Sequence, residues 1–226
     1  MMKGMGIKIK MKLAKGHQII TGPSIGILIL SLILITVDFS FWWITILSGS
    51  IVVFVIQFFR DPDRDMDEIN SEAIVSPADG VIFEIDTETI PNTTVFRIRM
   101  RFWDVHVNRI PLSGKLKKKE KFSGMFLPIL PGVNKISKIK NARQEMHFEN
   151  PNSIPFKVIQ ISGILAFRCV SYFSVSEKVI PRGERLGMIR FGSETDFHIP
   201  TKNVDPITKV GKKVKAGITI IGNLKY

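Results

Sequence analysis

The chain has 226 residues, enough for one domain with an appendage. Its 32 basic residues against 20 acidic ones give a net charge of +12, which points to a polyanion, either nucleic acid or an anionic membrane surface. The single cysteine, Cys169, excludes an intrachain disulfide, four scattered histidines offer no metal-ligand spacing, and no Walker loop or G-x-G-x-x-G fingerprint marks a nucleotide site.

Residues 1–18 form a basic tail with five lysines (Lys3, Lys8, Lys10, Lys12, Lys15) and no acid. Between Lys15 and Arg60 the only formal charge is Asp38. It splits residues 19–59 into two apolar runs, Ile19–Val37 and Phe39–Phe59, each near the roughly 20 residues that a membrane helix needs. The expectation is a transmembrane helical hairpin, with Trp42 and Trp43 at interfacial depth. A signal peptide fits poorly, because the apolar region is too long and no small-residue cleavage site follows. The lysine-rich tail should stay in the cytoplasm, and two spans return Arg60 to the same side, so the rest of the chain should face the cytoplasm at the cell membrane.

At Arg60-Asp-Pro-Asp-Arg-Asp-Met-Asp-Glu the composition changes to a charged linker with a proline break, and residues 60–226 read as a separate domain. Short β-branched runs separated by turn residues follow: 73–75, 80–85, 94–100, 154–162, 165–173, 187–191 and 217–224. No long stretch of 3.6 period intervenes, so the domain is expected to be mainly β. Val179-x-x-x-Gly183-x-x-x-Gly187 is echoed by Val214-x-x-Gly217-x-x-x-x-Gly222. Two such hairpins suggest a barrel-sandwich-like fold of the lipoyl or biotinyl type.

Several places carry chemistry. In Arg190-Phe191-Gly192-Ser193, Gly192 lacks a Cβ and can hold a strained backbone whose carbonyl lies open to the Ser193 hydroxyl. Attack would turn the amide into an ester, and loss of the Ser193 Cα proton would expel it, leaving a dehydroalanine that hydrolyses to a pyruvoyl group and ammonia. Ser76-Pro-Ala-Asp79-Gly80 places an acid at a turn. In Asp104-Val-His106-Val-Asn108, alternation puts the three polar residues on one face. Asp79, His106 and Ser193 thus supply an acid, a base and a hydroxyl, the parts of an activated nucleophile. The lysines of Lys115–Lys121 leading into the apolar Phe122–Pro131 suit a loop that dips into an anionic membrane. Arg143 and Arg168 are further cationic positions; Arg168 lies in an apolar run, where a phosphate or carboxylate in two-point contact, or equally an internal salt bridge, would account for its charge.

These motifs together resemble the short branch of the phosphatidylserine decarboxylase family, membrane-associated pyruvoyl enzymes made as self-cleaving proenzymes. The matching residues are Phe58-Phe-Arg-Asp-Pro62, Ser76-Pro-Ala-Asp-Gly80, Asp104-Val-His-Val-Asn-Arg-Ile-Pro111, Gly124-x-Phe126, Asn141-x-Arg143, Gln160-Ile-Ser-Gly163, Ala166-x-Arg168, Gly183-Glu-Arg-x-Gly187, Ile189-Arg-Phe-Gly-Ser193 and Asp196. Ala142, Phe167 and Glu194 depart from the usual pattern, where Glu, Arg and Arg stand. The resemblance implies cleavage between Gly192 and Ser193 into a β chain, 1–192, and an α chain of 34 residues that stay associated, with Ser193 becoming a covalent pyruvoyl cofactor. It implies a lyase that decarboxylates the serine head group of a phospholipid through a Schiff base, with His106 donating the proton that quenches the carbanion and Arg143, Arg168 and Phe126 at the substrate. The Lys/Ile-rich chain looks most like archaeal members, which act on archaetidylserine; ester and ether lipids carry the same head group. Whether His106 serves self-cleavage, decarboxylation or both stays open, as does homo-oligomerisation.

A non-catalytic membrane-anchored adaptor on the same hairpins would explain the anchor but not the conjunction of Asp79, His106 and Gly192-Ser193. A nucleic-acid binder would explain the charge, yet the lysines abut an apolar segment and lack interleaved stacking aromatics, so no nucleic-acid partner is expected.

Overall fold

The computed structural model describes residues 11–65, 70, 72–127, 140–163, 169–176, 178–190 and 193–226. It divides into two compact units, 1–63 and 64–226. In the first, β1 (Met11–Leu13) pairs antiparallel with β2 (Arg60–Pro62), so part of the basic tail and part of the charged linker form a short ladder that the sequence did not suggest. Helices α1 (Gln18–Val37) and α2 (Trp42–Phe58) lie between them, joined by a 3-10 turn, Phe39–Phe41. Asp38 ends the first helix and its carboxylate accepts the Ser40 N–H at 2.8 Å, which caps the turn. Both helices are apolar on every face, and α1 and the run Phe39–Phe58, which joins the 3-10 turn to α2, are each 20 residues, long enough to cross a membrane. Small residues let them meet: the Ser31 and Ser48 hydroxyls are 2.9 Å apart, and Thr45 Oγ1 donates to the Ser31 carbonyl.

The second unit is mainly β. In chain order its strands are β3 (Ala73–Val75), β4 (Gly80–Asp86), β5 (Thr93–Met100), β6 (Val107–Arg109), β7 (Gly114–Phe122), β8 (Arg143–Glu149), β9 (Pro155–Ser162), β10 (Cys169–Ser171), β11 (Val179–Ile180), β12 (Arg185–Ile189), β13 (Ser193–Pro200), β14 (Val204–Pro206), β15 (Lys213–Val214) and β16 (Ile220–Leu224). An eight-stranded antiparallel sheet runs β11-β7-β8-β9-β13-β5-β4-β15, and two three-stranded sheets run β10-β12-β6 and β14-β16-β3. The strands obey the period-two rule: in β8, Gln144, Met146 and Phe148 are buried while the residues between them are half-buried. One apolar cluster joins Phe96, Phe148, Phe156 and Phe197 of the large sheet to Leu186 and Ile189 of β12 and to Ile74, Ile221 and Leu224 of β3 and β16. The Phe148 and Phe156 rings stack at 5.0 Å, and Phe96 and Phe197 at 5.9 Å.

The expected barrel-sandwich is met only in its coarser form. The large sheet is open, with β11 and β15 at its edges. The two echoed segments are not self-paired hairpins: β11 joins β7 while β12 joins β6, and β15 joins β4 while β16 joins β3. Each echo therefore stitches two sheets together, which is why its glycine punctuation looks like a hairpin in sequence.

Candidate active site

Ser193 opens β13, near the middle of the large sheet, and is paired on both sides, with Met100 of β5 and Ser162 of β9. The antiparallel register carries other candidates to that same end. Val81, just inside β4, pairs with Arg99, so Asp79 lies beside the end of β5. Arg143 opens β8 opposite Phe122, the last residue of β7. The chain leaves Met100 through a turn at 101–104 and reaches His106, whose carbonyl accepts the Ile189 N–H, four residues ahead of Ser193. Asp79, His106, Arg143 and the Ser193 backbone thus gather at one end of the sheet. Gly192, Arg168 and the Ser193 side chain lie outside the described residues.

Asp79 is held firmly. Both its oxygens accept from the Arg64 guanidinium, at 2.6 and 2.8 Å, and Oδ1 also accepts the Ala216 N–H at 2.7 Å; Arg64 further donates to the Ala216 carbonyl. The next residue must be glycine: Gly80 has φ +147°, and a Cβ there would fall 2.2 Å from the Arg99 carbonyl oxygen. His106 is fully buried, and its Nδ1 lies 2.9 Å from the Asp104 carbonyl oxygen. A carbonyl only accepts, so in the neutral imidazole Nδ1 carries the proton and Nε2 is the basic nitrogen. The base is oriented by this carbonyl, and the Asp104 carboxylate takes two guanidinium bonds from Arg101, at 3.0 and 2.9 Å. Burial pushes the Asp104 carboxyl upward, but the Arg101 bonds outweigh it and hold the group below the usual carboxylate range.

A cavity of about 320 Å³ opens at this end, walled by Lys121, Phe126, Arg143, Gln144, Ser162 and Cys169. Arg143 stacks 4.2 Å above the Phe122 ring and donates from Nε to Glu145 at 2.9 Å, and Glu145 also takes Lys157 at 3.3 Å. Burial pushes the Cys169 thiol up to about 11, so it remains protonated at neutral pH and is a poor nucleophile. Gly124 sits where a Cβ would come within 2.3 Å of the Lys140 carbonyl oxygen, so this cavity wall closes only around glycine. Behind the wall runs a chain of fully buried polar side chains. Gln144 Nε2 donates to Gln160 Oε1 at 3.1 Å, Gln160 Nε2 to Asn108 Oδ1 at 2.6 Å, and Asn108 Nδ2 to Thr195 Oγ1 at 3.3 Å. The chain crosses β8, β9, β6 and β13 and ends two residues from Ser193.

The family model for phosphatidylserine decarboxylase matches residues 51–222, three quarters of the chain. The chain belongs to the phosphatidylserine decarboxylase family. It is 38% identical to a phosphatidylserine decarboxylase proenzyme of Syntrophus aciditrophicus, over 80% of this chain and 84% of that protein. Identity to the proenzyme of Carboxydothermus hydrogenoformans is 34%, over 81% and 86% of the two chains. To that of Streptomyces avermitilis it is 35%, over 94% of each. These three relatives are bacterial, so the archaeal leaning of the composition has no counterpart among them.

Against the pattern of a phosphatidylserine decarboxylase, the departing residues fall in different places. Ala142 lines the cavity, where it leaves room but no charge. Glu194 is fully buried and lies opposite Arg99 in the β5 register, while Phe167 lies outside the described residues. Sequence reasoning missed Arg64, whose alternating-charge neighbours look like linker, and Lys121 as a wall of the cavity. It also missed the Gln144–Gln160–Asn108–Thr195 chain, toward which only the Gln160-Ile-Ser-Gly163 motif and Asn108 in the Asp104–Pro111 motif pointed.

Proposed function

We propose that this protein is a proenzyme that cleaves itself between Gly192 and Ser193 and then removes CO2 from the serine head group of a phospholipid. The observation that carries the reading is the strand register: Ser193 opens a central strand beside Ser162, which walls the cavity, and His106 and Asp79 stand at the same end of the sheet. The comparison with proenzymes of this family supports the same chemistry.

In cleavage, His106 Nε2 takes the Ser193 hydroxyl proton as the oxygen attacks the Gly192 carbonyl and returns it to the Ser193 nitrogen as the Gly192–Ser193 C–N bond breaks, leaving an ester. Removal of the Cα proton then breaks the ester, freeing the Gly192 carboxylate, and water converts the dehydroalanine to a ketone with loss of ammonia. Residue 193 so fits a pyruvoyl group by position, since its strand neighbour faces the cavity. A pyruvoyl group there supplies an electron sink for the pair left when CO2 departs. Arg143 and Lys121 meet the lipid phosphate, with Arg168 as a further cation and Phe126 against the head group. Glu145, already bonded to Arg143, limits how much charge that residue offers. His106 returns a proton to the carbon that lost CO2, and Asp79, fixed by Arg64, keeps this end of the sheet rigid.

In this reading residues 1–18 are a cytoplasmic tail, 19–59 anchor the protein in an anionic phospholipid membrane, and 60–226 are the catalytic domain on the cytoplasmic side. Ester and ether lipids are both accommodated, and CO2 release from each tells which is used.

On a denaturing gel the protein should run as two fragments, the smaller of 34 residues with a blocked N-terminus. Ser193→Ala should remain one inactive chain. An uncut Ser193→Ala protein that still releases CO2 would refute the mechanism.

A further inference from the structure

Two aromatic side chains stand in solvent beside the site, and the chemistry above has no use for them. Trp103 is 61% exposed and Phe102 47%. They are the two central residues of the turn at 101–104, and that turn is clamped. The Asp104 N–H donates to the Arg101 carbonyl at 3.0 Å, the Arg101 N–H to the Asp104 carboxylate at 2.9 Å, and the guanidinium adds its two bonds. A turn fixed this way displays its aromatics by construction. The Arg101 guanidinium lies 5.3 Å from the Trp103 ring, and by pairing with Asp104 it removes the one anionic group of the turn.

Met100, directly before the turn, is the register partner of Ser193. Among the described residues, Phe122, Met125 and Phe126 are further exposed apolar residues at this end, at and just beyond the close of β7, with Phe122 and Phe126 lining the cavity. Four strand spacings separate β5 from β7, about 19 Å across the sheet. Exposed apolar groups rimmed by cations such as Lys121 mark an interaction surface. An anionic bilayer matches both features: tryptophan and phenylalanine favour the head-group layer, lysine and arginine its charge. A chain with net charge +12 and two helices of membrane-crossing length already has the chemistry to meet such a surface.

We propose that the Phe102–Trp103 turn is a second, interfacial membrane contact, entering the head-group layer together with the Phe122–Phe126 segment so that the Ser193 end of the sheet faces lipid. The inference rests on the reading of a lipid substrate, and it adds how that lipid reaches the cavity without leaving the membrane.

The test uses the full chain in phosphatidylglycerol vesicles. In a Trp42→Phe, Trp43→Phe background, Trp103 is the sole tryptophan. Its emission should be quenched by lipids brominated on their acyl chains and shielded from aqueous iodide. Access to iodide without quenching by brominated lipid overturns the proposal, whatever other partner then covers the turn. In parallel, Phe102→Ser with Trp103→Ser should raise the apparent KM for serine phospholipid in vesicles at least tenfold, while kcat and KM for soluble glycerophosphoserine stay at the parent values. An equal loss on both substrates also overturns it. Should the double variant fail to fold, the fluorescence of the intact turn still decides. If the parent decarboxylates neither substrate while Trp103 is quenched by the lipid, the membrane contact stands and the enzymatic reading fails.

Discussion

Replacing Arg64 by methionine should be among the most damaging single changes outside the apolar core. The Arg64 and Asp79 side chains are only 6% and 12% exposed, and the guanidinium supplies two of the three hydrogen bonds to the carboxylate. Methionine keeps the apolar stem but leaves a buried carboxylate with the Ala216 N–H alone. Breaking a buried pair in this way costs about 3–5 kcal/mol. At about 2–4 °C per kcal/mol for a protein of this size, the melting temperature should fall by about 6–20 °C. The Ser193→Ala background keeps every variant a single chain, so near-ultraviolet circular dichroism in detergent compares like with like. Asp79→Asn should cost a similar amount, and the double variant Arg64→Met, Asp79→Asn much less than the sum, because neither charge is then stranded. A melting temperature within 2 °C of the parent for Arg64→Met, or strict additivity in the cycle, would refute the argument that this pair anchors Asp79.

Gln160→Leu should take the partner from Asn108 Oδ1 and leave Gln144 Nε2 only the weak Met146 sulfur acceptor, at about 1–3 kcal/mol each, or about 2–6 kcal/mol together by urea unfolding. A loss below 1 kcal/mol would mean that the chain of amides is not closed. Burial, reinforced by the Lys157 charge, pushes the His198 imidazole down to about 3 from its usual 6.5. The unfolded chain therefore takes up the proton first. Stability is fully present above pH 6.5 and falls as the pH drops from 6.5 to 3, by about 1.4 kcal/mol per unit, hence about 2 kcal/mol by pH 5. His198→Phe should flatten that part of the pH–stability profile, and an unchanged slope would count against a buried neutral imidazole.

The β-branched runs at 73–75, 80–85, 94–100 and 154–162 were readable because valine and isoleucine alternate there against a single apolar cluster. Three long strands, β7, β8 and β13, were not. β7 carries five lysines, a composition poor in strand formers, and is held by its pairing with β8 and β11. β13 reads Ser-Glu-Thr-Asp-Phe-His-Ile-Pro, yet it is central. Its acids stay buried because neighbouring strands bring cations opposite them, Arg97 within 3.5 Å of Asp196 and Arg99 in register with Glu194. Such compensation depends on strand order, which no local pattern encodes. For the site, Asp79, His106 and Ser193 stood out by residue type, and their convergence needed the register. Arg64 was hidden among the alternating charges of 60–68, where every residue looks like solvent-facing linker.

The double pairing of β13 has a consequence for the lifetime of the mature protein. If the bond ahead of Ser193 is cut as proposed, the short fragment would begin inside the sheet, with β5 on one flank and β9 on the other, and its remaining strands laced into β3 and β4. It cannot dissociate without dismantling the domain, and after denaturation two separate polypeptides must find each other again. Refolding then becomes second order in protein concentration, so maturation trades a reversible equilibrium for endurance set by the rate of unfolding.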